Sequence, residues 1–567
     1  MKIERSKEQI WHRVWEMLLE YKKYFPGILL CLVCTSFMTF LQPLIIRQIT
    51  DQGMVQKDLR CIFIFSGIMI VVSLIQQGLS VIQTNSFSKL HNLITRSLYT
   101  KSYWKLNKLR IQYFDEKGSA EIINTINADI SNVASVADQV TTFSISSILQ
   151  IVGGVVGLAL LDWKLALLIV LVIPIKFIVV YYFSGKKNRM FEQWLENSRV
   201  FSGWLGDCIS GIREMKLWNL FYVKSKEFEK LQKNMMNSYK ENMMLDEYRT
   251  LSITFLDTIV TAILYILSGV LIIKGEFTIG GAFAFITYSG YVVSPISFLI
   301  NIKYYFAQIE PSAKRLFTFL EQTEESEVLK RTGSHHHINP NLNSDVPVLE
   351  FKNVSFGYDA GCMILNNVSF SIQQGERMAI IGENGSGKST ILNLLAGFYR
   401  PQQGLIKLYG MPMDTLDVEE IRKRIAVISQ KPYLFQGTIE ENVNIDGKAS
   451  HEEVVRACES SGALNFIENL EQGFEQKIGQ NGARLSGGER QKLAVARALL
   501  KKADILLMDE ATAGFDVESK KALHKLLCND LKDTTVIFIT HKYEELEGID
   551  KIYRLWGGVL KKIIGEY

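Results

Sequence analysis

The chain has 567 residues, a formal net charge of +4, 47% hydrophobic residues and only 10 prolines. This length predicts several domains, and the composition suits a helical membrane region joined to a globular domain. The small net charge argues against a nucleic-acid-binding protein, and the odd count of 7 cysteines argues against a disulfide framework.

Residues 1–24 predict an amphipathic helix. Trp11, Trp15, Leu18 and Leu19 recur at helical spacing, and charged residues occupy the remaining positions. We expect these four side chains to share one face and the helix to lie on the cytoplasmic surface of a membrane.

Six apolar runs follow, each long enough to cross a hydrocarbon core of about 30 Å. They lie near 25–46, 62–84, 140–161, 164–183, 251–273 and 279–302. The first run is expected to be a span and not a signal peptide, because a charged stretch precedes it and no cleavage site follows. Together they predict a multi-pass transmembrane domain over 25–321.

The connections after the second and fourth spans are long and have few glycine or proline breaks. They predict helices that continue the spans well into the cytoplasm. The first connection is rich in lysine and arginine, which occur as Lys89, Arg96, Lys101, Lys105, Lys108, Arg110 and Lys117. Loops rich in these residues stay cytoplasmic, and an even number of spans then places both termini on the cytoplasmic side of the plasma membrane.

Two charged residues lie inside predicted spans, Lys176 in the fourth and Asp257 in the fifth. Charge is costly inside a membrane, so each position needs an explanation. One interpretation is a structural ion pair, or a lysine that extends toward the inner surface. The other is a polar contact for a transported molecule.

A polar linker at 322–347 leads to a glycine-rich loop that predicts phosphate binding. IGENGSGKST at 381–390 matches G-x-x-x-x-G-K-[ST], between an apolar run typical of a strand and a run typical of a helix. Such a loop brings backbone N–H groups to phosphate oxygens at a helix N-terminus. The residues expected to hold ATP are Gly382, Glu383, Asn384, Gly385, Ser386, Gly387, Lys388, Ser389 and Thr390, with Ser389 also a Mg²⁺ ligand.

A second apolar run at 505–508 predicts a buried strand that ends in Asp509 and Glu510. An acid at the end of such a strand can hold Mg²⁺ through its water shell, and the next carboxylate is placed to polarise an attacking water. We therefore expect Asp509 to be a metal ligand and Glu510 to be catalytic.

LSGGER at 485–490 is similar to the signature motif of ABC-type ATPases. The resemblance covers residues 348–567 and implies an α/β P-loop domain. It implies that Tyr358 stacks on adenine, that Gln430 meets Mg²⁺ and faces the membrane domain, and that His541 is the switch histidine near the γ-phosphate.

The whole chain resembles a half-size ABC exporter: an α-helical six-span transmembrane domain fused to one ATPase. In that family the signature residues, here Ser486, Gly487 and Gly488, complete the ATP site of a second ATPase. The expected partner is therefore a second copy, with a heterodimer as the alternative. The segments at 113–133 and 210–219 resemble those that dock short helices on the ATPase.

The sequence departs from the family pattern in one segment and at one further position. Ala513, Gly514, Phe515 and Asp516 stand where Ser-Ala-Leu-Asp is usual, and Gln480 stands where exporters tend to carry glutamate. Both concern communication between two ATP sites rather than phosphate chemistry.

Aromatic residues in the last two spans suit a large amphipathic cargo such as a peptide, a lipid or a drug. They equally suit ordinary helix packing. These residues are Phe255, Tyr265, Phe283, Phe285, Tyr288, Tyr291 and Phe298. ATP-driven export is the expected function, and an ABC regulator or an importer built on the same fold is the alternative.

Overall fold

The computed structural model describes residues 2–136, 141–325, 346–359, 361–511, 523, 531–541 and 548–563. The chain divides into two compact units. The helical unit combines Met1–Trp104 with Ser119–Glu321, and the α/β unit combines Lys105–Gly118 with Gln322–Tyr567. The segment Ala513–Asp516, which departs from the family pattern, lies outside the described residues, and so does most of the predicted linker.

Eleven helices are described in the first part of the chain, and one of them, α4, belongs to the α/β unit. They are α1 Lys2–Leu19, α2 Phe25–Gln48, α3 Leu59–Lys108, α4 Ile111–Glu116, α5 Ser119–Asn124, α6 Ile130–Ser135, α7 Thr141–Leu161, α8 Trp163–Ser210, α9 Ile212–Leu217, α10 Phe221–Ile273 and α11 Ile279–Leu320. Two π-helical turns, Ile49–Val55 and Thr125–Asp129, interrupt this series.

Six helices within the described residues are long and apolar enough to cross a membrane. They fall in Lys22–Val55, Leu59–Lys108, Phe143–Leu161, Trp163–Ser210, Phe221–Ile273 and Ile279–Ile296. The six predicted spans are thus confirmed as apolar helices. Helices α3, α8 and α10 have 50, 48 and 53 residues, whereas a span needs about 20. The predicted helical extensions are confirmed as well.

Polar caps set where two of the spans begin. The Asp162 carboxylate accepts hydrogen bonds from the backbone N–H groups two and three residues further on, at 2.8 and 3.1 Å. Helix α11 starts after Thr278, whose hydroxyl accepts from the N–H of Gly281. The N–H of Gly280 donates to Asp51 at 2.7 Å, which ties the end of the first span to the start of the last.

Helix α1 is amphipathic, as the sequence predicts, and the four residues predicted to form its apolar face differ in burial. Leu18 is buried, and Trp11 packs edge-on against Phe306 of α11, with ring centroids 4.7 Å apart. Trp15 and Leu19 remain 55% and 58% exposed. Helix α11 covers only one strip of this apolar face and leaves the neighbouring strip, with Trp15 and Leu19, uncovered.

Polar contacts join helices α8 and α10 along most of their length. They pair Lys176 with Asp257, Lys187 with Asp246, Asn197 with Ser238, and Trp204 with Glu227. As the residue numbers rise on one helix they fall on the other, so the two helices form an extended antiparallel hairpin.

The charged pair inside the membrane is buried on the lysine side. The ammonium of Lys176 lies 2.6 Å from the Asp257 carboxylate and donates to the carbonyl of Val293 in α11 at 3.1 Å. Lys176 is fully buried, whereas the side chain of Asp257 is 38% exposed. This geometry is the ion pair of the first interpretation, and it connects three spans at one point.

We expect removal of either charge to lower stability and removal of both to restore much of it. Asp257→Asn leaves a buried ammonium without its counter-ion, a loss of about 3 kcal/mol or more. Lys176→Met likewise leaves the buried Oδ1 of Asp257 without its counter-ion. Thermal unfolding of single and double variants in nanodiscs measures the coupling; strictly additive losses would show that the two side chains do not stabilise each other.

The α/β unit contains two sheets. The first is antiparallel, in the order β2–β1–β4–β5, and the second runs β10–β9–β3–β8–β7–β6. The strands are β1 Leu349–Phe356, β2 Leu365–Ile372, β3 Arg377–Ile381, β4 Gln403–Leu408, β5 Met411–Pro412, β6 Ile425–Ile428, β7 Ile505–Asp509, β8 Thr535–Thr540, β9 Lys551–Trp556 and β10 Val559–Lys562. The helices are α12 Lys388–Leu395, α13 Val418–Arg424, α14 Ile439–Val443, α15 His451–Ser460, α16 Leu464–Glu468 and α17 Gly487–Leu500.

Four neighbouring strands of the second sheet, β3, β8, β7 and β6, are parallel. Their carboxyl ends therefore meet at one edge, where α/β proteins bind ligands. Gly382 follows β3, His541 follows β8, Glu510 follows β7, and Gln430 lies two residues beyond β6. The topology thus brings together side chains that are far apart in the sequence.

Candidate functional site

The glycine-rich loop joins β3 to α12, as predicted. Gly385 and Gly387 adopt left-handed backbone conformations, with φ of +83° and +102°. Residues other than glycine rarely adopt such φ values. Gly387 directly precedes α12, so the first backbone N–H groups of the helix lie at the loop, where they can donate hydrogen bonds to phosphate oxygens.

Lys388 is folded back onto this loop. Its ammonium donates to the carbonyls of Gly382 at 2.7 Å and Glu383 at 2.8 Å. Burial lowers the pKa of Lys388, and the nearby carboxylates of Glu510 and Asp509 oppose that effect. The buried hydroxyl of Ser386 has no partner among the described residues. A polyphosphate would supply acceptors for both groups.

Asp509 ends strand β7 and lies next to the loop. Ser389, at the start of α12, lies close enough to this carboxylate to favour its charged form. Burial, and then the charge of Glu510, raises the pKa of Asp509 above its ordinary value. Two adjacent carboxylates and a hydroxyl form an oxygen donor set of the kind that a hard divalent cation such as Mg²⁺ prefers.

Glu510 is held by two side chains from other strand ends. Gln430 donates to one carboxylate oxygen at 2.5 Å, and Nδ1 of His541 lies 2.7 Å from the other. The backbone of Glu510 is left-handed, with φ of +46°, which is uncommon for a residue other than glycine. Such strain persists where the surroundings fix a residue, and it is frequent at functional sites.

Tyr358 lies beside the start of α12. Its hydroxyl accepts from the amide of Asn393 at 3.0 Å and lies 3.5 Å from the hydroxyl of Thr390. The side chain is 41% exposed, so part of the ring is open to a ligand. This placement fits the predicted base-stacking role.

The predicted signature residues form the start of helix α17. The hydroxyl of Ser486 caps α17 by accepting a hydrogen bond from the backbone N–H of Glu489. The carboxylate of Glu489 in turn accepts from the backbone N–H of Ser486 at 2.7 Å. A Cβ on Gly487 would meet open space, so this helix start is accessible. No hydrogen bond within the described residues joins the Ser486 side chain to the phosphate loop.

Helix α4, from the first long connection, packs within the α/β unit. The hydroxyl of Tyr399 donates to Asp115 of this helix. Asp115 lies in the segment predicted to dock on the ATPase, but Tyr399 was not predicted. Its only sequence signal is an aromatic residue just beyond the end of α12.

Comparisons with known proteins agree with this arrangement. The family model described as "ABC transporter transmembrane region" matches residues 25–296, and the model described as "ABC transporter" matches 365–513. An ATP-dependent lipid A-core flippase of Alcanivorax borkumensis is 30% identical over 458 residues, covering 80% of this chain and 77% of the relative. The chain belongs to the ABC transporter family.

Other relatives of this ABC transporter align over nearly the whole chain. A flippase of the same description from Haemophilus influenzae is 26% identical and covers 98% of this chain and 94% of its own. An uncharacterized ABC transporter ATP-binding protein of Bacillus subtilis, YfiC, is 27% identical over 96% of this chain and 89% of its own. A bacterial Atm1-family ABC exporter with ATP bound shares the fold, with a TM-score of 0.80, 21% identity and coverage of 95% and 94%.

This ABC transporter therefore combines a six-helix membrane domain and one ATP-hydrolysing domain in a single chain, the half-size exporter architecture. The fold, the family and the ATP-binding domain predicted from the sequence are confirmed. The individual site residues stay predictions, which the geometry around the phosphate loop supports.

Proposed function

We propose that this chain exports a large amphipathic cargo across the plasma membrane, driven by ATP hydrolysis, with both termini in the cytoplasm. The observation that carries the proposal is the grouping of Lys388, Ser389, Asp509, Glu510 and His541 at one sheet edge in a chain with six membrane helices. Relatives described as flippases and exporters support the direction of transport.

The phosphate loop and α12 would bind the ATP phosphates. The ammonium of Lys388 would leave the carbonyls of Gly382 and Glu383 and turn to the terminal phosphates, which are stronger acceptors. Ser389, Asp509 and Gln430 would hold Mg²⁺, which neutralises phosphate charge when bound. Tyr358 would stack on adenine.

Glu510 would act on the attacking water. Its carboxylate is oriented by Gln430 and His541 from opposite sides. A carboxylate held in this way accepts the proton of a water as the water attacks phosphorus. His541 follows the neighbouring strand β8. It would lie near the terminal phosphate and so couple the presence of that phosphate to the Glu510 carboxylate.

Within the described residues, Ser486 makes hydrogen bonds with Glu489 and none with the phosphate loop of its own chain, which supports action as a dimer. At the start of α17, the N–H groups of Gly487 and Gly488 could meet an anion, whereas the N–H of Ser486 donates to Glu489. A second copy could place this helix start over the phosphates of the first. All site residues expected for hydrolysis are present on this chain, which favours a homodimer over a heterodimer.

Five of the seven aromatic residues considered for cargo binding are either buried or exposed, and the other two are intermediate. Phe285 and Tyr288 are fully buried in the core of the helical unit, so they stabilise the fold. Phe255, Tyr265 and Phe283 are 63%, 53% and 47% exposed. Only the exposed group can meet an amphipathic molecule.

Transport into inside-out vesicles tests the direction and the class of cargo. We expect ATP-dependent uptake of at least one member of a panel of fluorescent lipids, peptides and drugs, with stimulated ATP hydrolysis by the same compound. Vesicles with the Lys388→Ala variant are the control and should take up none. ATP-dependent loss of cargo from preloaded vesicles would instead indicate an importer, and ATP hydrolysis without any movement would indicate a regulator.

A further inference from the structure

Tyr399 lies between the proposed adenine platform and helix α4, and all three belong to the α/β unit. Its ring meets that of Tyr358 edge-on, with centroids 5.0 Å apart and planes at 87°. Its hydroxyl donates to the carboxylate of Asp115 in α4. One side chain therefore contacts both the residue that would hold the base and the helix that comes from the membrane domain.

Both contacts of Tyr399 are directional. Burial, and then the hydrogen bond to Asp115, raises the pKa of the phenol, so the hydroxyl stays protonated and remains a donor at physiological pH. Aromatic rings packed edge-to-face also have a preferred relative orientation, so the contact with Tyr358 depends on the position of both rings. A third ring, Phe356, lies 5.6 Å from Tyr399 and packs edge-on against Tyr358 at 5.1 Å, which closes a three-ring cluster.

A cavity of about 300 Å³ adjoins this cluster. Its wall includes Tyr358 and Tyr399 from the cluster and Arg110 and Gln112 from the α4 region. Close-packed protein interiors resist small displacements of a side chain. The open space beside the two rings allows the Tyr358 ring to change position when a base stacks on it, and Tyr399 would follow.

We propose that Tyr399 is a positioning residue that transmits the presence of adenine on Tyr358 to α4 through Asp115. The inference rests on the proposed function, in which Tyr358 stacks on adenine, and on the resemblance of the segment at 113–133 to those that dock on the ATPase in ABC exporters. It adds a connection from ATP to α4 that does not involve the phosphates. Through this connection the adenine end of ATP, and not only its γ-phosphate, sets the position of α4.

Hydrogen exchange of the full chain in nanodiscs, with and without the non-hydrolysable ATP analogue AMP-PNP and Mg²⁺, tests the connection. In the wild type, we expect the analogue to slow exchange both in the phosphate loop, 382–390, and in the α4 peptide, 110–117. Tyr399→Phe keeps the ring but removes the hydrogen bond. Slowing at 110–117 should then fall about tenfold, the factor for one lost bond to a charged group, while slowing at 382–390 persists.

Two further variants distinguish this connection from a general loss of structure. Tyr409→Phe is the matched control, because Tyr409 also donates to a carboxylate, that of Asp504, at 2.9 Å. It should leave exchange at 110–117 as in the wild type. Asp115→Ala should reproduce the effect of Tyr399→Phe, and the double variant should lose no more protection than either single variant, because one bond is removed in all three.

The outcomes separate this inference from the function on which it rests. Full protection of 110–117 in Tyr399→Phe, or an equal loss in Tyr409→Phe, overturns the role of Tyr399 alone. Protection of 382–390 without any protection of 110–117 in the wild type does the same. If the analogue protects neither peptide in the wild type, the proposed ATP site is wrong, and this inference is overturned with it.

Discussion

Glu510→Gln should lower ATP hydrolysis at least about 100-fold, which is the usual effect of losing a general base. The amide of glutamine is nearly isosteric with the carboxylate but cannot accept the proton of the attacking water. The groups proposed to bind ATP, including Lys388 and Ser389, remain in place. ATP should therefore bind and persist, and the protein should accumulate in its ATP-bound form.

Phosphate release and retention of radiolabelled ATP measure the two halves of this prediction. Glu376→Gln is the matched control, since Glu376 is a carboxylate of the same α/β unit that pairs with Lys551 at 2.6 Å, away from the phosphate loop. It should hydrolyse ATP at close to the wild-type rate. A Glu510→Gln protein with wild-type turnover would falsify the role given to Glu510.

The phosphate loop could be predicted from the sequence because its chemistry is local. Strand, glycines, lysine and helix follow one another within a few residues, so their spacing alone defines the structure. The six spans could be predicted for a similar reason, since the length of an apolar run relates directly to membrane thickness.

The contacts that organise the site could not be predicted in the same way. Glu510 meets Gln430 and His541 only because parallel strands place their carboxyl ends side by side. Tyr399 and Asp115 are separated by 284 positions and come from different parts of the chain. Such contacts depend on how elements pack, and no spacing within either segment indicates them.

The burial of individual residues in helix α1 could not be predicted from the sequence either. Its apolar residues were correctly assigned to a helix, but which of them are buried depends on the width of contact with α11. Lys176 and Asp257 are the opposite case. A buried charge in a membrane requires a partner, so a pairing between these two residues was a natural hypothesis before any contact was known.

Ser486→Arg and Lys388→Ala should each abolish hydrolysis alone, yet restore it when the two variants are mixed. In the proposed homodimer, each ATP site combines the phosphate loop of one chain with the α17 start of the other. Arginine at position 486 blocks that helix start, and alanine at position 388 removes the phosphate-binding ammonium. A mixed dimer pairs the intact loop of one chain with the intact helix start of its partner and keeps one complete site.

Random exchange of subunits should give roughly a quarter of the wild-type rate, because about half of the dimers are mixed and each has one working site. Ser450→Arg is the control for the arginine itself. Ser450 caps α15 through Glu453 in the same way that Ser486 caps α17 through Glu489, so the variant loses an equivalent cap and gains the same charge. It should remain active, since α15 does not carry the signature sequence. A mixture as inactive as its parents, after exchange has been verified by crosslinking, would leave the shared site without support and would favour a partner other than a second copy.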